Sequence, residues 1–174
     1  MTDYLWTDCE MTGLDKKNCR IIEVACLLTK DDLVPYSSFE AIVYQNPEVG
    51  WEQVAKEMHQ KSGLFDKVQK EGQDERDVIF TLTEWLKGHG FDRRLVNMAG
   101  NTVHFDRQFM IDQWPAIKPF LTHRILDVSS FKIYAEGQGV KKFDLNMPAH
   151  RAMDDINHSI AEFKYYLAEI KKLP

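Results

Sequence analysis

Hydrophobic and polar positions along this chain follow two regimes, a period of two near the N-terminus and a helical period beyond it. Residues 4–9 (YLWTDC) read as a buried strand, with a turn following at Gly13. Residues 20–30 (RIIEVACLLTK) form a long β-rich segment, and residues 39–45 (FEAIVYQ) alternate like a third strand. The short connections predict an antiparallel meander. After Pro47 the pattern turns helical over 50–60 (GWEQVAKEMHQ), and a more polar stretch follows Ser62-Gly63. Residues 74–90 predict a helix with Asp74 as N-cap, an apolar stripe of Val78, Leu82, Trp85 and Leu86, and Gly88 and Gly90 as stop signals. A strand over 94–100 (RLVNMAG) then ends at Gly100-Asn101, followed by a helix from about Val103 to Gln113. Another strand, 123–128 (HRILDV), leads into a short helix. The Gly- and Pro-punctuated residues 135–148 read as a loop, and a last helix spans about Ala149 to Lys171. Strands first, then alternating helix and strand, predict a single α/β domain over residues 1–174, with a mixed sheet flanked by helices.

The first strand carries an electrostatic fault. Side chains alternate along a strand, so Asp8 and Glu10 share one face and Cys9 takes the other. Two adjacent carboxylates on a half-buried strand repel each other and resist desolvation. Asp106 adds a second anomaly, because it falls within the apolar stripe of Val103, Phe109 and Met110. Taken alone, Asp106 also suits a buried aspartate satisfied by backbone or by an arginine. On the last helix the stripe is Met153, Ile156, Ile160, Phe163, Leu167 and Ile170. At about 100° per residue, Asp154 falls nearly opposite that stripe. Asp155 falls at its border, beside Ala152 and Ser159. His150 stands at the helix start, where a lone histidine could equally be a cap or a surface group.

Asp8, Glu10, Asp106 and Asp155 would be untenable together unless cations neutralised them. An all-oxygen donor set selects Mg²⁺ or Mn²⁺ over zinc. Two such ions ~3.5–4 Å apart clamp an in-line displacement at phosphorus, and a neutral histidine can take the proton of the attacking water. Zinc chemistry has no support, for there is no H-E-x-x-H and no clustered Cys/His pairing.

Composition narrows the setting. An apolar content of 44% allows a full core without staples, and no apolar run approaches a membrane span. The three cysteines lack C-x-x-C spacing and no signal peptide is visible, which predicts a reduced, cytoplasmic protein. A formal charge of −5 without a basic stripe weighs against non-specific gripping of long nucleic acid. It leaves room for a site that holds one or two phosphates through metals. Trp85, Phe109, Phe163, Tyr165 and Tyr166 read as core packing, and His104 and His158 as solvated helix positions. The paired lysines read as charged surface, with Lys141-Lys142 alternatively lining the approach to His150.

The segments DCEMTGLD, GNTVHFD and HRAMDD, in this order, resemble the three motifs of the DEDDh 3′→5′ exonucleases. The flanking EMTGLD, RIIEVACLLT, SGL and RILDVSSF are similar to those of the oligoribonucleases, from about residue 4 to residue 170. The resemblance implies an RNase H-like five-stranded sheet, an antiparallel meander followed by parallel strands. It also implies a homodimer that removes 5′-mononucleotides from the 3′ ends of very short RNAs. Carried over by position, it assigns metal binding (two ions, Mg²⁺ or Mn²⁺) to Asp8, Glu10, Asp106 and Asp155, and the general base to His150. Leu14 matches an apolar wedge between two bases, His59 a pocket histidine and Thr102 a phosphate-contacting hydroxyl. Arg124 and Ser129 match residues that hold the substrate's 5′ phosphate, with Arg124 reaching in from the partner subunit.

Two positions depart from the family pattern. His123 replaces a base-stacking tyrosine, and Val54 replaces a tryptophan, the nearest being Trp51. Aromatic stacking is worth ~1–3 kcal/mol per base, so the advantage of a dinucleotide over longer oligomers is expected to be modest. An exonuclease trimming longer single-stranded RNA or DNA is the alternative enzyme, and a catalytically dead RNA-binding module the alternative class. All five metal and base positions stand, which argues against the latter.

Overall fold

β1 (Tyr4–Met11) is the axis of a five-stranded sheet with strand order β3-β2-β1-β4-β5. The computed structural model describes residues 2–144 and 151–172. β2 (Ile21–Thr29) is buried at every residue, as its nearly unbroken apolar run requires. It pairs antiparallel with β1 on one side and with β3 (Pro35–Ile42) on the other, completing the meander. β4 (Val96–Gly100) pairs parallel to β1, and β5 (Leu121–Asp127) parallel to β4.

Alternation along β1 sorts its side chains between two layers. Leu5 and Cys9 face a core built with Val24, Cys26, Val78, Leu82, Phe109 and Trp114. α3 (Glu75–Gly88) and α4 (His104–Gln113) supply the helical part of that layer. Trp6 points the other way, into a core with Leu27, Ala99, Val128, Ile156, Ile160 and Phe163. α5 (Val128–Gly137) and α6 (Ala152–Ile170) cover that side. Asp8 and Glu10 have the parity of Trp6, so they project towards α6. α1 (Gln53–Ser62) and α2 (Leu64–Glu71) form a smaller layer, in which Leu64 and Val68 bury Ile22 beside Trp51.

The departures from the sequence-based elements are local. β1 runs two residues past 9, so Glu10 stands within the strand, and a register shift follows immediately at Glu10/Met11. The third strand lies at Pro35–Ile42 rather than 39–45. Pairing with the long β2 fixes it there, and its exposed outer positions are polar enough to hide the alternation. α5 continues to Gly137, past the expected loop start, because Ala135 is buried. A 3₁₀ turn over Pro115–Phe120 was not anticipated, and it buries Ile117 and Phe120. The expected start of the last helix at Ala149 lies outside the described residues.

Candidate active site

Asp8 and Glu10 emerge at the C-terminal half of β1, opposite Ala25 and Glu23 of β2. α6 crosses this face and brings Asp155 to them: ligand oxygens of Asp8, Glu10 and Asp155 all lie within 4.8 Å of one another. The helical-wheel contrast holds, since Asp155 is half-buried and Asp154 is exposed. Asp106, in the first turn of α4, is buried and accepts a hydrogen bond from the Cys9 N–H at 3.0 Å. It lies near enough to add its charge to Asp8 and Glu10, but it stands outside the 4.8 Å group, with one oxygen tied to the strand backbone.

Electrostatics here are those of a site made for positive charge. Burial, then the charges of Asp106, Asp155, Glu10 and Glu23, push the Asp8 carboxyl well above the usual carboxylate range. Burial and the charges of Asp155, Glu23 and Asp106 push Glu10 up to about 8, with Arg151 opposing. Asp106 rises to about 7 through burial, against the stabilising Cys9 N–H. The carboxylates can share this space ionised only if a cation offsets them, and a hard divalent ion suits the all-oxygen donors.

Glu23 escaped the sequence reading. It is buried, stands directly across from Glu10 and adds to the local negative charge. Both of its oxygens are occupied by the start of α6. The Arg151 guanidinium donates to Oε1 through Nε (2.9 Å) and Nη2 (2.7 Å), and the Ala152 N–H donates to Oε2 at 3.2 Å. A single acid in the otherwise apolar RIIEVACLLT was the signal available. His150, immediately before Arg151, lies outside the described residues.

His59 is fully buried, and its Nε2–H donates to the Met11 carbonyl at 2.9 Å. It lies 3.9 Å from Glu10 Oε2 and edge-on to Trp51, so it braces the end of β1. Beside Glu10 and Asp106 opens a largely apolar chamber of about 510 Å³, walled by Met11, Leu14, Val54, Met58 and Phe105. Leu14 is exposed at one edge and Val54 at another.

Thr102 and Ser129 come together where β4 and β5 give way to helices. Thr102 holds a left-handed backbone (φ 52°). Its N–H reaches Asp127 Oδ1 at 3.0 Å, and its hydroxyl lies 3.0 Å from that of Ser129. Asp127 also caps α5 by accepting from the Ser129 N–H. His104 is exposed as expected, yet faces Asp127 at 3.4 Å. Behind this pair Asn101 donates to buried Glu162, which Lys132 neutralises at 3.0 Å. Arg124 and His123 are exposed on β5, at the sheet edge two strands from β1.

A family model described as Exonuclease (RNase_T) matches residues 5–163. The mitochondrial oligoribonuclease of Saccharomyces cerevisiae is 35% identical over 183 residues, covering 98% of this chain and 68% of that protein. The oligoribonuclease of Chromobacterium violaceum is 33% identical over 98% of this chain and 97% of its own length. Among solved structures, exonuclease I from Methylocaldum szegediense superposes with a TM-score of 0.72 at 16% identity, over 99% of this chain and 41% of that one. E. coli exonuclease I in complex with a dT13 oligonucleotide gives 0.67 at 14% identity, over 99% and 41%. At such identities the likeness is one of fold, the RNase H-like mixed sheet, and the chain spans about two fifths of those nucleases.

Proposed function

The chain belongs to the exonuclease family, among its oligoribonucleases, and from that premise we propose that it removes nucleoside 5′-monophosphates from the 3′ ends of short RNA oligonucleotides. The observation that carries the chemistry is the convergence of Asp8, Glu10 and Asp155 within 4.8 Å, with Glu10 also lining the apolar chamber. A base in the chamber would set its own phosphate at the carboxylates.

Asp8, Glu10, Asp155 and Asp106 would hold Mg²⁺ or Mn²⁺, two ions in the full arrangement. When bound, such an ion supplies Lewis-acid polarisation of the phosphoryl group and offsets charge on the leaving oxygen. The chain's own residues do the rest. His150 accepts the proton of the attacking water. The water oxygen bonds to phosphorus, the bond from phosphorus to the 3′ oxygen breaks, and that oxygen takes a proton from solvent to leave as a 3′ hydroxyl, while the proton held by His150 passes to solvent. Arg151, which follows His150 in sequence, is fixed on Glu23 and anchors the start of α6. Leu14 parts the terminal base from its neighbour, and buried His59 supports the pocket floor at Met11. The Thr102 and Ser129 hydroxyls, already 3.0 Å apart, form a polar pair suited to phosphate oxygens.

A single catalytic domain is supported by the one sheet on which the described helices pack. Dimerisation through β5 and α5 is supported by the apolar Ile125, Ile133 and Tyr134 exposed there, and it would carry Arg124 to a partner's phosphate site. Three free, buried cysteines suit a reducing compartment such as the cytoplasm. Among the described residues no helix is long and apolar enough to cross a membrane.

The longer-strand alternative is favoured by one feature, the exposed aliphatic Val54 where the chamber could have had an aromatic platform. A length series of 5′-labelled RNA and DNA oligomers with Mn²⁺ tests both. Short RNAs shortened one nucleotide at a time, with a modest advantage for the dinucleotide, is the expected result. Preferred digestion of long strands would favour the alternative. Binding without cleavage, or full turnover in excess chelator, would overturn the proposed chemistry.

A further inference from the structure

Leu14 is 71% exposed, yet the turn that carries it is held by hydrogen bonds at its own and the following backbone amide. The anchor comes from outside β1. Glu52, at the N-cap of α1, donates its backbone N–H to the Thr12 carbonyl at 2.8 Å. Its Oε1 then accepts from the Leu14 N–H (3.1 Å), the Asp15 N–H (3.0 Å) and the Cys19 thiol (3.4 Å). The two backbone donors also hold the Glu52 carboxyl below its usual value.

The rest of the turn is shaped around this contact. A Cβ on Gly13 would meet Glu52 Cδ at 2.4 Å and Cys19 Sγ at 2.7 Å, so only glycine admits the carboxylate. The Asp15 side chain accepts from the Lys17 N–H and from Asn18 Nδ2, and the Asp15 carbonyl accepts from the Cys19 N–H. Lys16 places its ammonium 5.0 Å from the centre of the Phe105 ring, tying the turn to another residue of the chamber lining. Leu14, Glu52, Val54, Met58 and Phe105 line that one chamber.

The geometry points to Glu52 as a positioning residue for substrate grip: by tying the Leu14 and Asp15 amides to α1, it keeps Leu14 standing as a fixed wall against the terminal base. This rests on the proposal that the chamber receives the 3′-terminal nucleotide. Its logic is preorganisation. A loose turn would have to be ordered each time an oligonucleotide bound, at the expense of affinity. With Val54 offering no aromatic face, a rigid Leu14 carries more of the base contact.

The test uses the full chain with Mn²⁺ and a short RNA. Glu52→Ala is expected to raise KM about three- to tenfold with kcat changed by less than about twofold, while Mn²⁺ binding by calorimetry is unchanged. Glu52→Gln keeps a carbonyl oxygen for the two amides, so it should restore most of the affinity and serves as the better-folded variant. Leu14→Ala should raise KM similarly, and the double variant should be no worse than either single one, because Glu52 acts through Leu14. Effects that multiply in the double variant, or a rise with Leu14→Ala and none with Glu52→Ala, would overturn the positioning role. An unchanged KM for Leu14→Ala would instead overturn the chamber assignment beneath it.

Discussion

Burial and the charges of Asp155, Glu23 and Asp106 move the Glu10 carboxyl from 4.5 to about 8. An acid whose pKa is raised by folding favours the fold only while protonated. In the cation-free protein that contribution is full below 4.5 and lost once pH passes about 8. Asp8 and Asp106 shift in the same direction. The melting temperature of chelator-treated protein should therefore fall as pH rises across this window. Added Mn²⁺ should raise it most at the alkaline end, where the ligands are ionised. Thermal melts at several pH values, with and without Mn²⁺, check both halves. At the same scale, Asp155→Asn should abolish cleavage of a short RNA, whereas Asp154→Asn leaves the rate within about twofold. The contrast between these neighbours was legible from helix period alone, because 100° of rotation separates a half-buried side chain from an exposed one. Glu23 was not legible as a partner, since nothing within RIIEVACLLT says what its carboxylate meets.

At the level of elements, the decisive object is the N-terminus of α6. Arg151 and Ala152 fasten it to Glu23 on β2, and the first helical bond runs from the Asp155 N–H to the Arg151 carbonyl. The clasp thus sets where Asp155 meets β1. Arg151→Met would leave the buried Glu23 carboxylate without its counter-ion, held only by the Ala152 N–H beside the other acids, and it should cost roughly 2–3 kcal/mol in a urea melt, together with most of the activity. Adding Glu23→Leu should recover much of the stability, because an apolar pair removes the unpaired charge, without restoring the rate to that of the unmodified protein. Two element boundaries escaped the period for related reasons. β3 is set by pairing with β2, and α5 is extended by the burial of Ala135 against its neighbours. Both are decisions of packing partners distant in sequence.

For the whole molecule, β5 ends the sheet with Arg124 exposed. If that arginine completes a partner's site, mixed dimers should show it. Arg124→Ala and Asp155→Asn protomers, each weakly active or inactive alone, should regain activity when combined, since one hybrid site then holds an intact acidic cluster and an intact arginine. Assay of the mixture, with sedimentation to follow assembly, decides the matter. Chain-local rules determined a good deal here. The strand period put Asp8 and Glu10 on one face, the helix period set Asp155 apart from Asp154, and the order of strands and helices named the α/β class. Those properties depend on neighbours a few residues away, which the sequence states directly. Only the tertiary structure brought Arg151 to Glu23, the Cys9 amide to Asp106, and Glu52 to Leu14, across separations of 128, 97 and 38 residues. Strand register and helix docking fix such meetings, and both are settled by the simultaneous burial of surfaces that no local pattern contains.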